Sequence, residues 1–124
     1  METNQNILEE NKSVIKRYWN GKWNERRPEV LDELQTKDVV YHGSSETMNG
    51  IEAYKQAYSS YLAAFQDTHI EIKELIAEGD LVMSRIEMHG VHEGELGGIP
   101  PTHNDFNING FTIFRLVDGR IAEE

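Results

Sequence analysis

The spacing of apolar residues changes once along this 124-residue chain, and that change constrains the fold more than any other feature. As far as Phe65, apolar and aromatic residues recur every three or four positions, which is typical of amphipathic helices. From Thr68 onward they alternate with polar residues, as in half-buried strands. Helices followed by strands predict an α+β fold, with the helices packed on one face of an antiparallel sheet. Without an internal repeat or linker, residues 1–124 are expected to form a single domain.

Three helices are predicted in the first half of the chain. The first covers residues 5–20 and ends near Gly21, and a short second helix begins near Pro28, a residue favoured at the first helical position. The third helix carries an apolar and aromatic stripe at helical spacing. Its members are Ile51, Tyr54, Tyr58, Tyr61, Leu62 and Phe65.

The predicted strands are separated by turn residues. A tight hairpin turn is expected at Asp118 and Gly119, because Asp-Gly suits positive φ. A loop is expected at residues 43–45. The strands are predicted at residues 39–42, 68–73, 81–92 and 105–117, with a last one beginning at residue 120.

Composition limits the classes of partner. The formal net charge of −10 argues against nucleic-acid binding, which relies on Lys and Arg contacts to phosphates. No cysteine is present, so disulfides and thiolate chemistry are excluded. The N-terminal residues lack the pattern of a signal peptide, and no apolar run is long enough to span a bilayer. A cytoplasmic protein without membrane association is therefore expected.

Strand alternation predicts which side chains face the helices. In the strand at residues 81–92, one face carries the charged pair Arg85 and Glu87 and should point outward, so His92 should point inward. In the first strand, Val40 and His42 share a face. In the strand at residues 105–117, one face carries Phe106, Ile108, Gly110, Thr112 and Phe114.

These faces predict an apolar pocket with few polar groups, which is the usual composition of a small-molecule site. The same aromatic side chains could instead simply fill the core, and the sequence leaves that alternative open. The candidate ligand-binding wall residues are Trp19, Tyr58, Ile86, Met88, Phe106 and Phe114. The candidate polar groups are His42, His92, Thr112 and Tyr61.

Two segments carry a family resemblance. The loop GELGGIPPTH at residues 94–103 and the strand and turn NGFTIFRLVDGRI at residues 109–121 resemble the corresponding motifs of SnoaL-like polyketide (ester) cyclases. The resemblance spans roughly residues 8–124. It implies the fold of nuclear transport factor 2 and ketosteroid isomerase, a curved sheet wrapped around three helices to form a cone with an interior cavity.

The resemblance also implies roles for individual residues. His42 matches a strand-ending histidine of the cyclases, where ketosteroid isomerases carry the aspartate base, and His92 matches the histidine of the cyclases' H-x-G motif. Thr112 stands where the family carries aspartate, and a threonine hydroxyl cannot act as a base near neutral pH. His103 replaces a usual glycine, and the sequence stops at Glu124 where relatives continue.

The first functional hypothesis is an enzyme that abstracts an α-proton from a small apolar carbonyl compound and stabilises the enolate for aldol-type cyclisation or isomerisation. His42 or His92 would be the general base, and the other histidine with Thr112 or Tyr61 would hydrogen-bond the oxyanion. Such chemistry needs no cofactor. No metal is expected, because His89 and His92, three apart on a strand, lie on opposite faces.

Two alternatives use the same fold. One is a binding or sequestering protein without turnover, which the loss of the family aspartate favours. The other is a structural or dimerising module, with a homodimer formed through one sheet face. The residues expected in that contact are Asn107, Asn109, Phe111, Ile113 and Arg115.

Overall fold

A computed structural model describes residues 3–43 and 45–124, which form three α-helices and a six-stranded sheet. Ser44, in the predicted loop at residues 43–45, lies outside the described residues. The helices are α1 (Asn4–Trp19), α2 (Glu29–Leu34) and α3 (Ile51–Ala64). The strands are β1 (Gln35–His42), β2 (Thr47–Asn49), β3 (Phe65–Glu78), β4 (Leu81–His92), β5 (Asp105–Val117) and β6 (Arg120–Glu123).

The first helix begins as the sequence predicts but does not end at Gly21. Thr3 caps its start, with its side-chain oxygen accepting from the backbone N–H of Asn6 at 3.1 Å. Beyond α1 the chain continues as a π-helical turn over Asn20–Asn24. Gly21 serves close packing instead, because a Cβ at this position would lie 2.4 Å from Cγ1 of Val30 in α2.

The sheet has the order β2-β1-β6-β5-β4-β3. All neighbouring strands are antiparallel except β1 and β6, which run parallel. The sheet is curved and does not close on itself, and the helices pack against its concave face, so the α+β fold class is confirmed.

Three strands differ in extent from the prediction. Strand β2 was not predicted, and β1 and β3 are longer than expected. In β3 the pairing with β4 shifts between Gln66 and His69 and again between Ile72 and Glu74. Each shift inserts extra residues and breaks the two-residue period, which hides the full strand from a pattern search.

Alternation along β4 and β5 is confirmed. The even-numbered residues from Val82 to Met88 are buried against the helices, while their odd-numbered neighbours are half-buried. On the concave face of β5, the exposed fraction rises from 0% at Phe114 to 51% at Ile108. The core therefore lies at one end of β5, and the concave face is uncovered at the other end.

Candidate functional site

His92 ends β4 and is held by the Pro-Pro loop. Its backbone N–H donates to the Asn104 carbonyl at 3.0 Å, and the His103 N–H donates to the His92 carbonyl at 2.8 Å. The imidazole Nδ1 lies 3.1 Å from Thr102 Oγ1. The Nε2 atom is shielded from solvent and has no hydrogen-bond partner among the described residues. A buried polar atom without a partner is unusual in a folded protein, so this nitrogen is a candidate for a functional role.

Aromatic rings surround this histidine. The Phe65 ring lies 5.8 Å from His92 and 4.9 Å from Phe106, measured between centroids. Tyr61, on the last turn of α3, stacks on Phe65 at 6.0 Å with 9° between the ring planes. The Phe106 ring packs so closely over Gly90 that a Cβ there would lie 2.8 Å from it. The cluster places one imidazole and one phenol in an otherwise apolar wall.

The helices leave part of the concave face of β5 uncovered next to this cluster, and this partly exposed surface from Phe106 to Thr112 is called the cleft below. Phe106, Gly110 and Thr112 are half-buried on that face, and Ile108 between them is exposed. The surface is apolar apart from the Thr112 hydroxyl. An apolar surface with a few polar groups at its ends suits a small, largely hydrophobic ligand.

His42 does not face this cleft, so the prediction that it lines the pocket is wrong. Its side chain is exposed, and Nε2 lies 2.7 Å from Oε2 of Glu123. Glu123 also accepts from Arg115 Nε at 3.2 Å, and the hydrogen bonds from His42 and Arg115 lower the pKa of Glu123. In β1 the inward residues are instead Val39, which is fully buried, and Tyr41, whose ring packs on Tyr54 at 5.6 Å.

Thr112 faces the cleft as predicted but lies far from His92. It pairs with Ser84 in the register of β4 and β5, and Ser84 precedes His92 by eight residues along β4. At about 3.3 Å per residue this separation is roughly 25 Å. The structure therefore does not bring His42, His92 and Thr112 together around one reacting atom.

Most of the predicted wall residues are packed in the core. Trp19 donates from Nε1 to Ser84 Oγ at 3.0 Å, and Tyr58 donates to the Lys22 carbonyl at 2.6 Å. Burial agrees with the alternative that these side chains fill the interior of the fold, and Phe106 is the one wall candidate that borders the cleft. The buried members are Trp19, Tyr58, Ile86, Met88 and Phe114.

A buried polar network that the sequence analysis missed lies at the covered end of the cone. The Tyr18 hydroxyl donates to Glu124 Oε1 at 2.7 Å and lies 2.5 Å from the Tyr54 hydroxyl. Lys22 Nζ donates to both hydroxyls, 3.1 Å from that of Tyr18. Gln35 Nε2 is 3.4 Å from Tyr18 and Glu124, while its Oε1 has no partner among the described residues.

Burial sets the protonation behaviour of this network. Desolvation lowers the pKa of Lys22 to about 8, although the negative charge of Glu124 opposes the shift. Desolvation, with Glu124 adding to it, raises the pKa of Tyr18 and of Tyr54 well above the usual range. The Lys22 amine is within 5.4 Å of four aromatic ring centroids. In sequence Lys22 follows a glycine at an expected helix end, so only the π-helical turn reveals that it is buried.

The stability of the protein should rise between about pH 8 and pH 10 because of Lys22. In this range the folded lysine releases its proton while the unfolded one, with a pKa of 10.5, keeps it, so the unfolded state binds more protons. Above pH 10 the effect is offset, because unfolded tyrosines ionise and Tyr18 and Tyr54 do not. The expected gain is on the order of 1 kcal/mol per pH unit.

Urea denaturation across this pH range, compared between wild type and Lys22→Met, measures the contribution. The variant should lack the rise in the free energy of unfolding, because the exposed titratable groups contribute equally to the pH dependence of both proteins. Parallel pH profiles for the two proteins would contradict the assignment of a desolvated amine.

Two surface grooves lie away from the cleft. One, of about 710 Å³, is bordered by the start of α1 and by the turns at Gly79 and Gly119, and another, of about 410 Å³, by α1 and β3. Neither contains a predicted site residue. Among the described residues no group of three or more His, Asp or Glu side chains is arranged to hold a metal ion. Within the same residues no helix combines the length and apolar character needed to cross a bilayer.

Comparison with known proteins identifies the family of this chain. The profile of the SnoaL-like polyketide cyclases matches residues 13–124. The chain belongs to this family. The recognition from the loop at residues 94–103 and the strand that follows it is therefore confirmed.

Individual family members are similar over most of this SnoaL-like chain. Aklanonic acid methyl ester cyclase DauD of Streptomyces sp. (strain C5) is 26% identical over 89% of this chain and 68% of its own length. Aklanonic acid methyl ester cyclase DnrD of Streptomyces peucetius is 31% identical over 61% of this chain. The match covers 53% of the length of DnrD. A protein from Jannaschia sp. CCS1 described as a SnoaL-like polyketide cyclase has the same fold, with a TM-score of 0.89, 21% identity, and coverage of 99% of this chain and 88% of that one.

Proposed function

We propose that this protein is a cyclase-type enzyme that acts on a small apolar carbonyl compound by α-proton abstraction and enolate stabilisation. The reaction would take place in the cleft between α3 and the concave face of β5. The observation that carries the proposal is the shielded Nε2 of His92, which has no partner among the described residues and lies within an aromatic wall. In the proposed reaction the α-C–H group of the substrate approaches this nitrogen.

His92 is the general base in this mechanism. We assign the ring proton to Nδ1, which then donates to Thr102 Oγ1 at 3.1 Å and leaves a lone pair on Nε2 that can accept a proton. In the other tautomer Nδ1 would accept from the Thr102 backbone N–H at 3.4 Å. The Thr102 hydroxyl oxygen also accepts from the Asn104 backbone N–H at 3.3 Å, which holds the hydroxyl beside the imidazole. Thr102 therefore positions the base without touching the substrate.

The steps balance without an added oxidant, reductant or cofactor. The α-carbon gives its proton to His92 Nε2, and the electron pair of the broken C–H bond forms the enolate. Tyr61 is 44% exposed, and its hydroxyl donates to the enolate oxygen. The enolate carbon then bonds to a second carbonyl carbon of the same molecule, and the imidazolium returns its proton to the new alkoxide.

The surface of the cleft favours an apolar substrate. Gly110 leaves the concave face open, since the nearest atom to a Cβ placed there would be Ile86 Cδ1 at 3.9 Å. Phe106 and Ile108 offer apolar surface towards the His92 end. DauD and DnrD are named as cyclases of aklanonic acid methyl ester, and among esters a β-keto ester has an acidic α-proton that a histidine base can remove.

Exchange of α-protons in deuterated buffer tests the proposal. A panel of β-keto esters and aryl ketones would be followed by NMR with and without the protein. We expect exchange above the buffer-catalysed rate, and this rate should saturate with substrate concentration. Saturable binding of the same compounds with no acceleration would contradict turnover.

That second result would support the alternative function, a small-ligand binding protein. Thr112 favours this alternative, because no carboxylate stands on the concave face of β5 from residue 106 to residue 116. A binding protein would use Thr112 as a hydrogen-bonding anchor, since His92 is too far away for one small ligand to reach both.

A homodimer through the convex sheet face is part of this proposal. Phe111 is 71% exposed there, beside exposed Ile113, and the register of β3, β4 and β5 places Ile76 and Met83 in line with Ile113. An apolar surface of this kind on an otherwise charged face fits a second copy of the chain around a two-fold axis.

Replacing Phe111 and Ile113 with aspartate should convert the dimer into a monomer, because the charges would be buried in the contact. Sedimentation velocity of wild type and this variant measures the change. Ile99→Asp, an equally exposed apolar site in the Pro-Pro loop, is the matched control and should remain dimeric. A monomeric wild type would contradict the proposed contact.

A further inference from the structure

His69 and His89 form an unassigned pair of imidazoles on the convex face of the sheet. They are direct partners in the register of β3 and β4. Their ring centroids are 5.3 Å apart with 39° between the planes, and both residues are exposed. Residue spacing relates His89 only to His92, which lies on the concave face of the sheet. The cross-strand partner of His89 is separated from it by twenty positions in sequence and becomes apparent only in the sheet register.

The neighbouring carboxylates do not compete for these rings. Glu71 and Glu87 form the next outward-facing pair along the two strands. Lys73 Nζ lies 3.1 Å from Glu71 and 3.3 Å from Glu87, so both carboxylates are already paired with a cation. The other three histidines of the chain each have a polar partner, at Glu123, Thr102 and Glu93.

We propose that His69 and His89 form a two-histidine surface site for a divalent transition-metal ion, with water completing the coordination. Two imidazoles on one tetrahedral ion, at the usual metal–nitrogen distance of about 2.1 Å, place their ring centroids roughly 5 Å apart. The observed 5.3 Å requires little movement to reach this geometry. Neutral imidazole suits Zn²⁺, Ni²⁺ and Cu²⁺, and the binding order of these ions places Cu²⁺ first.

Two further features favour the site. The net charge of −10 raises the local concentration of cations near the protein. Both histidines are on adjacent antiparallel strands of one sheet, so the backbone holds them in place before the metal binds. A preorganised pair gives the second imidazole a high effective concentration once the first has bound. The site lies on the opposite face from His92 and does not depend on the proposed catalytic function.

Calorimetric titration of the whole chain with Cu²⁺ tests the proposal. Wild type should bind one ion at this site, and His69→Gln and His89→Gln should each weaken that binding at least about tenfold, because a single imidazole loses the effective concentration of the pair. His103→Gln is the matched control, since His103 is equally exposed in the Pro-Pro loop, and it should bind like wild type. These exposed substitutions leave the core unchanged.

Electron paramagnetic resonance of the Cu²⁺ complex adds a readout that stability does not affect. Coupling to two imidazole nitrogens in wild type, reduced to one in either variant, would support the paired site. Absence of Cu²⁺ binding by wild type would overturn the proposal. It would equally be overturned if both variants retained wild-type affinity, which would place the ion elsewhere.

Discussion

His92→Gln should lower the rate of catalysed α-proton exchange by about 10²–10⁴-fold, the contribution typical of a positioned general base. Glutamine fills similar space but has no nitrogen lone pair that could accept the proton. The substitution leaves the apolar wall of Phe65 and Phe106 in place. The value of KM should therefore change much less than kcat. Steady-state exchange rates measured by NMR over a range of substrate concentrations separate the two parameters.

His42→Gln is the control for this result. His42 lies on the opposite face of the sheet and pairs with Glu123, so its replacement should leave the exchange rate close to that of wild type. If His42→Gln abolished exchange and His92→Gln did not, the base would be on the convex face and the cleft would not be the site. Equal loss in both folded variants would also contradict the assignment.

Phe114→Ala should destabilise the fold by about 3–5 kcal/mol, the usual cost of removing a large buried aromatic side chain. Phe114 is fully buried, and its ring packs edge-on against Tyr18 and Trp19 at centroid distances of 5.7 Å. Truncation would leave a cavity between β5 and α1 that these rings cannot fill without moving. The free energy of unfolding in urea measures the loss.

Phe111→Ala is the matched control, because Phe111 is on the same strand but on its exposed face. Its effect on the unfolding of an isolated chain should be within roughly 0.5 kcal/mol, as for most surface substitutions. Both measurements should be made at low protein concentration, where the proposed dimer contributes least. Similar losses for the two variants would contradict the assignment of strand faces.

The sequence predicted the parts of the fold that depend on local pattern. Residues 81–92 alternate without interruption, and their faces were assigned correctly because β4 is a regular central strand. Alternation failed for β3, whose two register shifts interrupt the period. The short β2 contains only three residues, Thr47–Asn49, too few to show a period.

The candidate site could be predicted only where a motif fixed it. Strand parity predicts that His92 faces inward and the H-x-G motif selects it as a candidate, while its catalytic role stays a prediction. His42 was misplaced because parity shows which residues share a face but not which face is buried, and in β1 Val39 and Tyr41 occupy the inward positions.

The Lys22 network and the pairing of His69 with His89 depend on contacts between elements distant in sequence. Lys22 donates a hydrogen bond to Tyr54 of α3, and His69 in β3 pairs with His89 in β4. Residue spacing holds no information on either contact. A lysine beside a glycine and an isolated histidine on a strand are both ordinary surface patterns.

The protonation of the His92 ring is the most direct test of the account. The side-chain ¹⁵N chemical shifts of His92, measured by long-range ¹H–¹⁵N NMR near neutral pH, report which nitrogen carries the proton. We expect the Nδ1–H form, with an unprotonated Nε2 whose resonance moves when a β-keto ester is added. A ring protonated on Nε2 and unaffected by the ester would contradict the assignment of His92 as the base.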